Sequence, residues 1–203
     1  MLLLTIAHHG EAQEFIKRKY KQTVDFHFNG LYRSEDGMLL VSGEGLQMTS
    51  LRLTAVYTYF SHQIDCIINM GIAGSLSSEL QLNQIYGIRT VHHEMKGNDG
   101  FPSFNCKETL SKMDCVSAHQ SVLTDQYARD LSPLADIVDR ELWAVGSVCQ
   151  LFSLPFKSYK LISDMAGGQT NGKEIISKAP KFSKHLFDFY KNLSLAKETW
   201  EDE

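Results

Sequence analysis

Residues 64–75 read Ile-Asp-Cys-Ile-Ile-Asn-Met-Gly-Ile-Ala-Gly-Ser. From Ile64 to Met70 the run is almost unbroken in apolar character and carries β-branched side chains; Gly71-Ile72-Ala73-Gly74-Ser75 reads as the turn that closes it. A short apolar run without alternation marks a strand buried on both faces. Such a strand needs helices above and below it, so the stretch predicts an α/β sheet.

Working outward, the flanks supply the other layers. Residues 2–7 read as a first strand and 11–21 as a helix. A polar hairpin region follows, with turn signals at Asn29-Gly30 and Asp36-Gly37. Met38–Ser42 reads as a second short strand, and 46–62, free of breakers, as a helix. Beyond the central run, 85–93 reads as a strand and 94–113 as an irregular segment with Gly97, Gly100 and Pro102. Ala135–Val138 is expected as a strand, with Asp139 capping a helix through Leu151. Tyr159–Ser163 reads as a strand, and 173–192 as a closing helix before an acidic tail. No repeat or linker interrupts this order. The expectation is one α/β domain over 1–203, three-layered, with a mixed central sheet flanked by helices.

Composition narrows the function classes. The 203 residues suffice for one good core. Net charge is −4, and the one basic cluster, Lys17-Arg18-Lys19 with Lys21, reads as a solvated helix face. Nucleic acid is excluded as the main partner, because phosphate contacts need clustered Lys and Arg. Cys66, Cys106, Cys115 and Cys149 form no CxxC pair, which argues against a zinc or thioredoxin-like site. Reduced thiols fit a cytoplasmic protein. The apolar N-terminus lacks a basic region and is too short for a signal sequence, and no segment approaches a membrane span.

Three acids follow, or nearly follow, apolar runs: Glu11, Glu141 and Asp164. In an open α/β sheet, ligands bind beyond the carboxyl ends of the strands. Acids arriving there from distant parts of the chain point to a small-molecule site. Each also has a structural use, in a first helical turn for Glu11 and Glu141 and as a turn former for Asp164. Functionally, Glu141 offers two acceptor oxygens to a vicinal diol such as that of ribose. Asp164 suits an acid that donates to a purine N7. Glu11 suits a base that orients and deprotonates water. His8 and His9 are adjacent, so their side chains diverge, and no metal site is expected.

In order along the chain, five segments resemble the nucleoside phosphorylase/nucleosidase superfamily. They are Leu2–Glu11, Val41-Ser42-Gly43-Glu44-Gly45, Ile67–Gly74, Val138-Asp139-Arg140-Glu141 and Leu161-Ile162-Ser163-Asp164. The last four resemble the family's Ser-Gly-x-Gly turn, Asn-x-Gly-Ser-Ala-Gly turn, Val-(Glu/Asp)-Met-Glu turn and (Ile/Val)-Ser-Asp strand end. The resemblance is closest to the hydrolases, the methylthioadenosine/S-adenosylhomocysteine nucleosidases and futalosine hydrolases. Asn69 stands where phosphorylases commonly place a phosphate-holding Arg, which favours water as nucleophile.

The resemblance implies hydrolysis of the N-glycosidic bond of a purine nucleoside or 5′-modified nucleoside. Asp164 and Glu11 would be catalytic; Glu141, Arg140, Gly71, Ile72 and Ser163 would contact substrate. No cofactor or metal is implied, and a homodimer or larger homo-oligomer is. Two positions depart from the pattern: Ile72 replaces a Ser, and Arg140 replaces a Met. Arg140 either binds a carboxylate or phosphate on an unusual substrate, or pairs with Glu141 and blocks the ribose. A phosphate-dependent phosphorylase and a degenerate nucleoside-binding protein are the alternatives.

Overall fold

A computed structural model describes residues 1–22, 28–95, 101–107 and 113–195. In chain order the elements are β1 (Leu2–Ile6), α1 (His9–Arg18), β2 (Lys21–Gln22), β3 (Leu31–Arg33), β4 (Gly37–Val41), α2 (Leu46–Phe60), β5 (Cys66–Ser75) and β6 (Ile85–His93). They continue with β7 (Phe104–Asn105), β8 (Met113–Ser117), α3 (Asp125–Leu131), β9 (Ile137–Asp139), α4 (Leu142–Leu151), β10 (Phe156–Met165) and α5 (Gly172–Leu195).

The apolar run from Ile64 to Met70 leads into β5, the strand on which the sheet is organised. It pairs in parallel with β1, from Leu2↔Cys66 to Thr5↔Asn69, and with β10, from Phe156↔Ile67 to Met165↔Ser75. Its last residues pair antiparallel with β9. β10 then pairs with β6, β6 with β8, and β8 with β9, so this part of the sheet closes into a ring. On the other side β1 carries β4, β3 and β2 as an open extension. The sheet is mixed, as expected. Its closure lies beyond any reading of local periodicity.

Burial on both faces explains the unbroken apolar runs. Leu3 of β1 packs with Leu53, Val56 and Phe60 of α2 and Val145 and Val148 of α4. Leu2, Leu4 and Ile6 of the same strand pack with Phe15 of α1 and Phe182, Leu186 and Phe187 of α5. Alternation along the strand thus feeds two cores, giving helix–sheet–helix layering. A third, smaller cluster gathers Val116, Ala118, Val122, Leu131 and Val138 around α3. Among the described residues no helix is long and apolar enough to cross a membrane.

Several expectations are corrected. Gly71–Ser75 is no turn: β5 runs through it, because β10 stays paired alongside as far as Met165↔Ser75. The first helix starts earlier, at His9, and ends at Arg18; Lys21–Gln22 pairs with β3 instead. Within the segment read as irregular, β7 pairs with β6, while 96–100 and 108–112 lie outside the described residues. The acidic tail lies outside them too. The short strand β8 and helix α3 carry too little periodicity to announce themselves.

The turn signal at Asp36-Gly37 holds: Gly37 closes the antiparallel β3–β4 hairpin, its carbonyl accepting the Ser34 N–H at 2.9 Å, and as the first residue of β4 it stands opposite Leu2. A Cβ there would stand 2.5 Å from the Leu2 carbonyl oxygen, which is backbone and cannot yield cheaply. Gly37→Ala is therefore expected to destabilise the fold by about 1–3 kcal/mol. Urea denaturation checks this, and an unchanged midpoint would show that β1 and β4 are further apart than described.

Candidate active site

The carboxyl ends of β1, β5 and β10, the β9–α4 turn and the start of α5 surround a cavity of about 320 Å³. Glu11, Gly71, Ile72, Arg140, Glu141, Ser163 and Asp164 all line it. The residues nominated from sequence thus share one space, although they are spread over more than 150 positions.

Glu11 reaches the cavity from the first turn of α1 and is buried. The His8 ring opens that helix, its Nδ1 accepting the Gly10 N–H at 3.0 Å. The Ile72 N–H donates to Glu11 Oε2 at 3.0 Å. Gly71 makes that approach feasible, because a Cβ at this position would lie 2.9 Å from the same oxygen. Burial raises the Glu11 carboxyl to about 8 against the pull of the Ile72 N–H; Glu141 adds to the rise and Lys160 opposes it.

Glu141 sits at the start of α4, and its Oε1 accepts the Gly45 N–H at 2.7 Å. Burial and the neighbouring Asp139 charge raise it to about 7, against Lys160, the Gly45 N–H and Arg140. The ion-pair partner of Arg140 is Glu44, at 3.3 Å. Arg140 therefore pairs with Glu44 and not directly with Glu141.

β10 shifts register between Ile162 and Asp164, leaving Ser163 as an extra residue against β5. Such a bulge re-aims side chains at a sheet rim. Here it accompanies a tethered carboxylate. Ser163 Oγ donates to Asp164 Oδ1 at 2.6 Å, and Thr170 Oγ1 donates to Oδ2 at 2.7 Å. Two hydroxyls thus fix both oxygens of a half-buried acid.

The sequence reading missed Lys160. It is 2% exposed, lines the cavity, and places Nζ 2.7 Å from Asp139 Oδ2. Burial works against its charge, but Asp139, with Glu141 and Cys115, outweighs that and raises its pKa. The N-cap of α4 is Glu141 and not Asp139, which ends β9; Asp139 still steadies the helix start, accepting the Leu142 N–H at 2.9 Å, and also accepts from Ser117 Oγ at 2.5 Å. The available signal was a lysine inside an otherwise apolar strand. A cation in a central strand must be paired. Asn69, also on the cavity wall, is engaged by Thr5 through Nδ2 at 3.2 Å and by Ser158 through Oδ1 at 3.1 Å.

No family model matches the chain. It is 27% identical over 172 residues to the 5′-methylthioadenosine/S-adenosylhomocysteine nucleosidase of Bacillus pumilus, covering 70% of this chain and 74% of that one. The fold is shared with a futalosine hydrolase mutant of Helicobacter pylori, at TM-score 0.80 and 16% identity, covering 94% of this chain and 96% of that one. It is also shared with a 5′-methylthioadenosine/S-adenosylhomocysteine nucleosidase from Colwellia psychrerythraea in complex with adenine. There the TM-score is 0.79 at 17% identity, and 92% of each chain is covered. The resemblance to the nucleoside phosphorylase/nucleosidase superfamily thus holds in sequence, through the first, and in fold, through the other two.

Two outcomes follow from the buried charges. Lys160→Met leaves Asp139 buried without its cation and is expected to cost about 3–5 kcal/mol. A loss below about 1 kcal/mol in urea denaturation would mean that the pair is hydrated. Glu11 binds its proton more tightly folded, near 8, than at its ordinary 4.5. Its contribution to stability is full below about 4.5 and is lost as pH rises through about 8. Glu11→Gln abolishes that titration. The variant should therefore gain on the parent by a few kcal/mol between pH 5 and 8. A difference that does not change with pH would place Glu11 in water.

Proposed function

We propose that this chain is an N-glycosyl hydrolase that releases the base from a purine nucleoside or 5′-modified nucleoside. The observation that carries the reading is the convergence of Glu11, Glu141 and Asp164, from three separate elements, on one cavity beyond the strand ends.

In this mechanism Glu141 accepts hydrogen bonds from the ribose 2′- and 3′-hydroxyls. Asp164, carrying a proton when the substrate binds, passes it to purine N7, so the base leaves with the electron pair of the C1′–N9 bond, and Asp164 takes a proton back from solvent before the next turnover. The sugar is left as an oxocarbenium-like cation, as in glycoside hydrolysis generally. Glu11 orients a water toward C1′ and takes its proton, so the hydroxyl ends on the sugar. The surrounding carboxylates stabilise the cation while it lasts. Ser163 and Thr170 keep Asp164 aimed.

Two details support this assignment. Asn69 has no formal charge, and its amide is engaged by Thr5 and Ser158, which favours water over phosphate as nucleophile. Ile72, the departure at the glycine segment, holds Glu11 through its backbone N–H, a bond that any residue there supplies. Gly71 and Ile72 would then contact substrate through the same stretch of backbone.

The proposal extends to a cytoplasmic homodimer or larger homo-oligomer built from a single-domain chain. Exposed Met48, Leu51 and Tyr59 on α2 and Leu151 on α4 supply apolar surface for self-association. Four free cysteines fit a reducing compartment.

The test is release of free base from a nucleoside panel, with and without phosphate, across pH. Release is expected to be independent of phosphate. The kcat/KM should rise with pH through about 7 to 8, as Glu141 and Glu11 ionise. Asp164→Asn should abolish turnover while leaving the melting curve near that of the parent. Phosphate-dependent release, or near-normal activity in a folded Asp164→Asn variant, would overturn the reading.

A further inference from the structure

Arg140 lines the same cavity as Glu141, yet none of the steps above employs it. A guanidinium presents five N–H donors in a rigid fork. Here Nη1 donates to Glu44 Oε2 at 3.3 Å, longer than the roughly 2.7–2.9 Å of a well-made charge-assisted bond. Nε is buried and has no hydrogen-bond partner among the described residues. An orphaned donor on a charged group is costly, so this is a holding position rather than a satisfied one. Glu44 gives up little by leaving: its side chain is 55% exposed, and water can replace Arg140 as its partner. His8 Nε2 also stands 3.9 Å from its other oxygen.

The location assigns Arg140 to the sugar side. The Gly45 N–H holds Glu141, and a Cβ on Gly45 would lie 3.8 Å from Arg140 Nη2. Arg140 therefore neighbours the group proposed for the ribose diol. The Ser163–Asp164–Thr170 set proposed for the base is a separate cluster of contacts. Nor is the surrounding charge as hostile to an anion as the number of acids suggests. Asp139 is matched by Lys160, and the Gly45 and Ile72 N–H groups each offset part of the Glu141 and Glu11 charge.

We infer that Arg140 and Glu44 form an exchangeable anion subsite on the sugar side of the cavity, and that the substrate carries a carboxylate or phosphate at its 5′ carbon, the sugar position left free once Glu141 holds the 2′- and 3′-hydroxyls and C1′ faces the base and water. On binding, that group displaces Glu44 and takes the guanidinium fork in a two-point contact. The inference rests on the nucleosidase reading for the orientation of the ligand. Glu44 acts as a resident placeholder that keeps the cation from standing unpaired in the empty enzyme.

The experiment compares a neutral 5′-alkylthioadenosine, its 5′-carboxyalkylthio counterpart and adenosine 5′-monophosphate. Base release and calorimetric affinity are measured for each. The parent should favour at least one anionic probe over the neutral one by about tenfold or more, and the two anionic probes distinguish carboxylate from phosphate. In Arg140→Met that ratio should collapse toward one, in Arg140→Lys it should survive in part, and in Glu44→Gln it should increase. A parent ratio at or below one for both anions, or a ratio untouched by Arg140→Met, would overturn the subsite. If no probe releases base, the hydrolase reading fails. The affinity ratios, judged by the same criteria, then decide the subsite separately.

Discussion

Lys160 carries a positive charge on the inside of a strand paired on both sides, and Asp139 is the group that lets it remain there. The same carboxylate accepts from Ser117 on β8 and from the first amide of α4. One acid therefore ties together β8, β9, α4 and β10, the elements around which the sheet closes. The arrangement is costly to desolvate and costlier to break, since each partner alone would be a bare charge in the core. The pair also sets the electrostatics of the cavity above it. Glu11 and Glu141 are both raised by burial and both restrained by the Lys160 ammonium. Burial against this fixed cation brings two carboxyls near neutrality, the range in which an acid–base pair can exchange protons with bound ligand.

Backbone does as much as side chains to build the site. Glu11 is held by the Ile72 N–H and Glu141 by the Gly45 N–H, and Asp164 follows the bulge in β10. Sheet pairing fixes β5 and β10, so the acids are aimed by parts of the fold that cannot easily shift. The cost appears as stability. A desolvated acid makes the empty protein less stable as pH rises toward its working range, a common exchange between stability and activity. Ligand that replaces lost water around these groups would recover part of it.

The fold class and the gathering of the candidate residues at one cavity were legible because both rest on local chemistry. Apolar runs at 2–7, 64–70 and 159–163 read as strands, the central one as buried, and the acids placed after them point to a crevice. What could not be read depends on long-range pairing. Gly71–Ser75 looks like a turn until β10 is laid beside it. Gly37 reads as the hairpin residue it is, closing β3–β4, but its close approach to the Leu2 carbonyl is invisible until β1 is laid beside β4. Lys160 looks like one more residue of a strand, because its importance lies in Asp139, twenty-one positions away and across the ring. The ion pair of Arg140 with Glu44 spans 96 positions and was equally hidden.

The central claim is that the cavity floor is dry enough to hold two carboxyls far above their ordinary range. Carbon-13 titration of the glutamate side-chain carboxyls in the ligand-free protein measures this directly, with Glu11→Gln and Glu141→Gln assigning the signals. The account predicts one carboxyl titrating near 8 and another near 7. Titration of both between about 4 and 5, as in exposed glutamates, would contradict it.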